Sequence, residues 1–303
     1  MTYLGIDVGG QTIKSALVND KGMAIHVDRN PTPPPGSATS EYSAALANII
    51  TAYCDLAAED SETIEGVGIV VPGLIDSETG VALKSGTLGW DNYPILADLR
   101  QSTDLPLFLE HDVTAGGLAE LRFGAAQGVE NGIVIPIGTG LACALIINGQ
   151  VHHPHPAVGE LGHTPSIVDR PCVCGKRGCL EMTASGGALG RNYKTLTGES
   201  TTAEQVFHRA QAGEENAVAL WNEFLDALAH AVHWMASILG PEVVVFSGGL
   251  ASAGDALLDG VATRLRDRLS IQREPELRLS TLGGLSGCIG AAQVARERHQ
   301  GQK

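Results

Sequence analysis

Residues 3–18 read YLGIDVGGQTIKSALV. Tyr3 to Val8 predicts a strand, Gly9-Gly10-Gln11 a tight turn, and Thr12 to Asn19 a second strand with alternating apolar positions, so the chain opens on a β-hairpin. The same pattern returns later: Gly132 to Ile137 is an apolar strand, Gly138-Thr139-Gly140 a turn, and Leu141 to Asn148 a strand. Superposing the two turns puts Pro136 where the first copy has Asp7. A duplicated α/β unit facing itself across a cleft is the fold this predicts.

Glycine turns of this kind let backbone N–H groups approach an anion, and phosphate is the obvious guest. Neither turn is a Walker loop or a dinucleotide fingerprint, because GK[ST] and G-x-G-x-x-G are both missing. Asp7 beside the first turn could hold Mg²⁺ through water.

Between the two hairpins, residues 30–37 (NPTPPPGS) predict a surface loop, since proline removes backbone donors. Ser40 to Ala58 predicts a helix, residues 66–72 (GVGIVVP) a strand covered on both faces, and Leu105 to Leu109 a short apolar strand. That strand runs into Glu110-His111-Asp112, ahead of a helix from Thr114 to Ala126. Asp112 reads either as a helix N-cap or as a general base able to accept a hydroxyl proton, and the roles can coexist.

His163, Cys172, Cys174 and Cys179 supply one imidazole and three thiols, a set suited to a closed, structural zinc site. His152, His153 and His155 lie among prolines and read as solvated loop residues. Helices are expected from about residue 203 to 239, with Phe224 to Leu239 a buried one, then a strand from Glu242 to Phe246 ending in Ser247-Gly248-Gly249.

The 303 residues carry 34 acidic and 20 basic side chains, a net charge of −14, with 44% hydrophobic residues. That excess of negative charge disfavours nucleic acid and anionic membranes as partners. No signal peptide or membrane span is evident, and six cysteines, three of them clustered, do not make a disulfide scaffold, so a reducing cytoplasmic setting is expected.

DVGGQTIK, EHDVTAGGLAE, IGTG, GELGHT, CVCGKRGCLE and SGG follow one another in the order found in the ROK family of bacterial sugar kinases and repressors, which the chain resembles over nearly its whole length. The resemblance implies an actin-like, ribonuclease-H-like duplicated fold with two lobes around a cleft: residues 1–112 with about 289–303 as the small lobe, and 113–288 as the large one. It implies transfer of the γ-phosphoryl group of MgATP to the 6-hydroxyl of a hexose, glucose or an N-acetylated hexosamine, by a homodimer. Asp112 would be the catalytic base. Gly9, Gly10, Gln11 and Thr12, with Lys14 beside them, would form the first phosphate loop, Gly138, Thr139 and Gly140 the second, and Gly248 and Gly249 the adenosine turn. Gly73, Gly86, His111, Glu160, His163 and Glu181 would line the sugar site, with His163 also a zinc ligand.

The sequence departs from the family pattern at His111 and Gly86, where Asn is usual, at Gln11, where Thr is common, and at Leu141, Ala142 and Cys143, where smaller or more flexible residues are usual. These changes leave the sugar open and keep a non-catalytic, sugar-sensing regulator as the alternative. Family repressors carry a helix-turn-helix ahead of the first phosphate-loop strand, which here starts at residue 3, and this with the acidic charge argues against DNA binding. No basic groove is evident for polyphosphate, so ATP is the expected donor.

Overall fold

The computed structural model describes residues 1–59 and 62–301. The chain divides into two compact units, one made of residues 1–124, 153–157 and 284 onward, the other of 125–152 and 158–283.

The first unit opens with an antiparallel meander, β1 (Thr2–Val8), β2 (Thr12–Val18) and β3 (Ala24–Pro31). Helix α1 (Thr39–Glu59) leads to β4 (Ile64–Val71). A separate antiparallel sheet follows, β5 (Leu74–Asp76), β6 (Val81–Ser85) and β7 (Trp90–Tyr93), then α2 (Ile95–Leu99), β8 (Leu107–His111) and α3 (Asp112–Phe123). The main sheet has the order β3-β2-β1-β4-β8, with β4 parallel to both β1 and β8. The proline loop after β3 starts where the sheet has an edge, the position a missing N–H can occupy.

The second unit repeats that plan. Strands β9 (Gly132–Pro136), β10 (Ala144–Ile147) and β11 (Gln150–Val151) form the meander. Helices α4 (Glu181–Ala184), α5 (Gly186–Thr197), α6 (Ala203–Gln211) and α7 (Glu215–Ile238) precede β12 (Val243–Ser247), α8 (Asp255–Arg266) and β13 (Glu276–Leu279). The order β11-β10-β9-β12-β13, antiparallel on one side of β9 and parallel on the other, matches the first sheet strand for strand. The duplication expected from the two glycine turns is therefore present in the topology.

The last helix, α9 (Ser286–Gly301), returns to the first unit and lies against β1 and β4. Its approach is close enough that a Cβ on Gly5 or Gly68 would run into the backbone carbonyls of Cys288 and Ala291. Helix α3 packs on the same helix, where a Cβ on Gly290 would strike the Ala115 backbone. Residues 113–124 and 284–288, assigned from sequence to the large lobe, thus sit in the first unit.

On α1 the buried residues Tyr42, Leu46, Ile49, Ile50, Tyr53 and Ala57 recur at helical spacing and join Leu4, Ile6, Ile69 and Leu109 in one core. In the second unit Ile133, Ile135, Val244 and Phe246 pack against Phe224, Leu228 and Val232 of α7. The expectation of a wholly buried Phe224–Leu239 segment needs correction at its end, because Trp234 is 57% and Ile238 74% exposed. Among the described residues no helix is long and apolar enough to cross a membrane.

Candidate functional site

In the first unit the β1–β2 turn is held at both ends. The Gly9 amide donates to the Thr12 carbonyl at 3.1 Å, while Thr32 donates its amide to the Gln11 carbonyl and its hydroxyl to the Gly9 carbonyl. Tyr42 of α1 holds the proline loop behind Thr32 by donating to the carbonyls of Pro33 and Leu88. A Cβ at Gly10 would lie 2.6 Å from the Thr87 methyl group, so a side chain there would require the exposed Thr87 to turn aside.

Asp7, one residue before the end of β1, lies opposite Lys14 in the register, with Lys14 Nζ 3.8 Å from its carboxylate and donating to the Gly284 carbonyl at 3.1 Å. Burial, reinforced by the negative charge of Asp112, pushes the Asp7 carboxyl up to about 6 against the pull of Lys14. A buried carboxylate held above its ordinary range is one whose ionised form a divalent cation would stabilise, and Asp7 fits Mg²⁺ in that sense.

The N-cap position of α3 falls on His111, so Asp112 is the first helical residue and not the cap. Its Oδ1 accepts the Val113 amide at 2.8 Å and lies 3.2 Å from His111 Nε2. Behind it, Glu110 is buried in an ion pair with Arg298 of α9 and accepts from the His111 amide and the Ser77 hydroxyl. Arg298 also donates to the Leu109 carbonyl at 3.0 Å, so α9 braces the end of β8. His153, expected in solvent, instead has a largely buried side chain and stacks on His111, the ring centroids 6.1 Å apart and the planes 9° from parallel.

Gly73 has φ +119°, and a Cβ there would collide with the Lys84 carbonyl, so glycine is obligatory for the chain path between β4 and β5. At Gly86 a Cβ would meet nothing within 4 Å. The space there is open, and glycine at that position is not demanded by packing.

In the second unit two of the three predicted nucleotide segments, Gly138–Gly140 and Gly248–Gly249, come together. Gly138 donates to the Gly140 carbonyl and accepts from the Gly186 amide at 2.8 Å, and Ile137 donates to the Ser247 carbonyl. Gly248 adopts φ +81°, with a would-be Cβ 2.6 Å from the Ile137 carbonyl. A cavity of about 670 Å³ is bounded by Gly138, Thr139, Gly249, the start of α5 at Gly186 and Gly187, and the cations Arg191 and Lys194. The N-terminus of α5 borders this space, with Ser185 as its cap accepting the Ala188 amide. The α5 residues were missed from sequence, although Ser-Gly-Gly occurs at 185–187 as well as at 247–249. Leu141 and Cys143, the departures after the second turn, point into the second core, and burial pushes the Cys143 thiol up to about 12.

Glu181 Oε2 accepts the Leu141 amide at 3.1 Å, tying α4 to the second glycine turn. Glu160 lies 3.8 Å from His163 Nε2, and the other ring nitrogen faces Cys172 Sγ at 3.8 Å. Cys174 and Cys179 are 3.6 Å apart, and one ligand atom from each of His163, Cys172, Cys174 and Cys179 lies within 4.8 Å of the others. Tetrahedral zinc with Zn–S near 2.3 Å places its sulfur ligands roughly 3.8 Å from one another, so the set fits that ion.

Residues 3–298 match the sequence model of the ROK family. The chain belongs to the ROK family. Within that family it is 32% identical to the glucokinase of Thermotoga maritima, with 98% of each chain covered. It is 28% identical to the N-acetyl-D-glucosamine kinase of Haemophilus influenzae, over 96% of this chain and 98% of that protein. A ROK family glucokinase from Streptomyces griseus, crystallised with glucose and AMPPNP, superposes with a TM-score of 0.83 at 26% identity, covering 98% of this chain and all of the other. The actin-like ROK fold accounts for the two matched sheets.

Proposed function

We propose that the chain is an ATP-dependent sugar kinase that transfers the γ-phosphoryl group of MgATP to the 6-hydroxyl of a hexose, glucose or an N-acetylated hexosamine. The observation that carries this reading is Asp112, fixed at the first turn of α3 in a chain whose relatives are sugar kinases over their full length.

With Oδ1 taken by the Val113 amide and faced by His111, Oδ2 is the oxygen left to receive the sugar proton. The proton moves to Asp112 as the sugar oxygen bonds to phosphorus and ADP leaves. Amides at Gly9–Thr12 and Gly138–Gly140 are suited to the phosphate oxygens, and the cavity beside Gly249, Arg191 and Lys194 to the adenosine side. Mg²⁺, when bound, neutralises charge on the β- and γ-phosphate oxygens, and Asp7 is the residue placed to hold it through water. Lys14 would steady Asp7.

His163, Cys172, Cys174 and Cys179 would hold one structural zinc. His163 would serve as ligand through the nitrogen that faces Cys172, leaving Nε2 toward Glu160, so that a bound ion would keep in place a carboxylate expected at the sugar. Glu181, two residues past Cys179, would carry the same rigidity to the second phosphate turn.

Coupled ADP release with MgATP against glucose, mannose, glucosamine, N-acetylglucosamine and N-acetylmannosamine tests the proposal. Sugar-dependent ADP production with at least one of them is the expected result. No production, with sugar binding intact by calorimetry, would replace the kinase with a sugar sensor.

A further inference from the structure

Arg191 is the residue of the second unit's cavity whose placement calls for a cause. Helix α5 is pinned by buried Ala188, Leu189 and Tyr193, by the Tyr193 hydroxyl donating to Glu214 and by the Asn192 amide donating to the Met182 carbonyl. Its Gly187, Arg191 and Lys194 are left to line the cavity. Four residues apart, Gly187 and Arg191 are neighbours on the helix surface, and long helical side chains lean toward the N-terminus. Arg191 follows that lean, with Nη1 2.8 Å from the point a Gly187 Cβ would occupy. The Thr139 carbonyl oxygen of the second glycine turn lies 2.4 Å from the same point. Guanidinium and turn therefore face each other across Gly187, whose missing side chain leaves them room.

Without a ligand this is a poor place for a cation. The first turn of a helix carries partial positive charge, so a guanidinium folded back over it is repelled, although Arg191 is exposed and could extend into water. The Arg191 backbone carbonyl accepts the Thr195 hydroxyl, but the guanidinium has no hydrogen-bond or ion-pair partner among the described residues. The carboxylates of this region are engaged elsewhere: Glu181 accepts the Leu141 amide, and Glu204 lies 3.9 Å from His208. A helix N-terminus, a glycine turn and an uncompensated guanidinium thus border one cavity of about 670 Å³. An anion with several oxygens satisfies all three, and arginine offers it a planar fork of donors.

We propose that Arg191 binds the phosphate chain of the nucleotide where it passes the second glycine turn, and that the cavity's affinity for phosphate, as distinct from adenosine, depends on this side chain. The proposal rests on the nucleotide-binding reading of the cavity given above. Glu181 sharpens the need for a cation, because its Oε2 stands 2.7 Å from the point a Gly140 Cβ would occupy and brings negative charge to the same turn. Lys194, three residues on, is set about 4.5 Å further along the helix axis, so the two cations are not equivalent.

The test is binding to the whole chain: Kd of MgADP by calorimetry and of adenosine by ligand-observed NMR, for wild type, Arg191→Gln and Arg191→Lys, with melting temperatures alongside. Arg191→Gln should weaken MgADP by about ten-fold or more and leave adenosine within about two-fold. Arg191→Lys keeps the charge without the fork, and its MgADP affinity should fall between. Equal losses for both ligands, the mark of a cavity merely reshaped, overturn the proposal, and so does an unchanged MgADP affinity. Should Arg191→Gln melt well below wild type, Arg191→Lys decides by the same comparison: MgADP weakened with adenosine unchanged supports the role, and equal losses or none overturn it. The wild-type ADP-release assay keeps this apart from the kinase reading. A chain that binds MgADP through Arg191 but phosphorylates none of the sugars fails as a kinase and keeps the inference. A sugar kinase whose Arg191→Gln variant retains wild-type MgADP affinity loses the inference alone.

Discussion

Asp7 shows how a single residue can serve a site at a cost to the fold. Its folded pKa is raised to about 6, while an unfolded chain titrates near 3.8, so the unfolded state releases its proton first as pH rises. Stability from this group is present below about pH 4 and is lost as pH climbs through 6, a penalty on the order of 2–3 kcal/mol at neutral pH. Asp7→Asn should therefore raise the melting temperature of the ligand-free protein at pH 7.5, leave it unchanged at pH 4, and weaken MgATP binding. Equal shifts at both pH values would contradict the assignment. Gly86 makes a complementary case, because a side chain there meets open space. Gly86→Asn should leave thermal stability unchanged while altering the ratio of kcat/KM between glucose and N-acetylglucosamine; a constant ratio would place Gly86 outside the sugar site. Asp7, Asp112 and the cysteine cluster were legible in the sequence because each stands in a short local motif. His153 and Arg298 were not, since they reach β8 from far along the chain and only the fold brings them to Glu110 and His111.

Among the elements, α9 has the widest reach. It lies on β1 and β4 across Gly5 and Gly68, abuts α3 at Gly290, and ends with Arg298 on Glu110 one residue before His111. A methyl group at position 68 would meet backbone, which cannot rotate away, so Gly68→Ala should destabilise by roughly 1–3 kcal/mol or more. It should also lower kcat, because moving α9 disturbs the ion pair that braces β8; denaturant melts and initial rates would show both. A variant that unfolds at the wild-type midpoint would mean that the helix can shift without penalty. The hairpin strands and the buried strands β4 and β12 were readable from period-two alternation and from unbroken apolar runs bounded by Gly and Pro. The sheet β5–β7 and strand β13 were not, being short, polar in places, and dependent on register with their neighbours. Helix α9 was likewise hidden, since its surface is made of Gly and Ala in place of a recognisable apolar stripe.

At the scale of the whole molecule, one repeated strand order carries two different jobs. The first unit holds Asp7, Asp112 and the stacked His111 and His153; the second holds the cavity beside Gly138 and Gly249 and the Cys₃His cluster. Elemental analysis should find about one zinc per chain, and removal by a strong chelator should lower the melting temperature and raise the sugar KM, consistent with structural sites worth on the order of 10 kcal/mol in apparent binding free energy. Zinc-free protein with wild-type stability would dismiss the ion. The duplication was visible in the sequence because both copies keep a glycine turn between apolar strands, whereas the unit boundaries were not, because α3 and α9 choose their partners by glycine-lined contact. The central claim is that Asp112 is the base of a sugar kinase. Its most direct test compares kcat of wild type and Asp112→Asn on the preferred sugar, with sugar affinity measured on both by calorimetry. The account predicts a loss of about 10²- to 10⁴-fold in kcat at unchanged affinity and fold; turnover within a few-fold of wild type would contradict it.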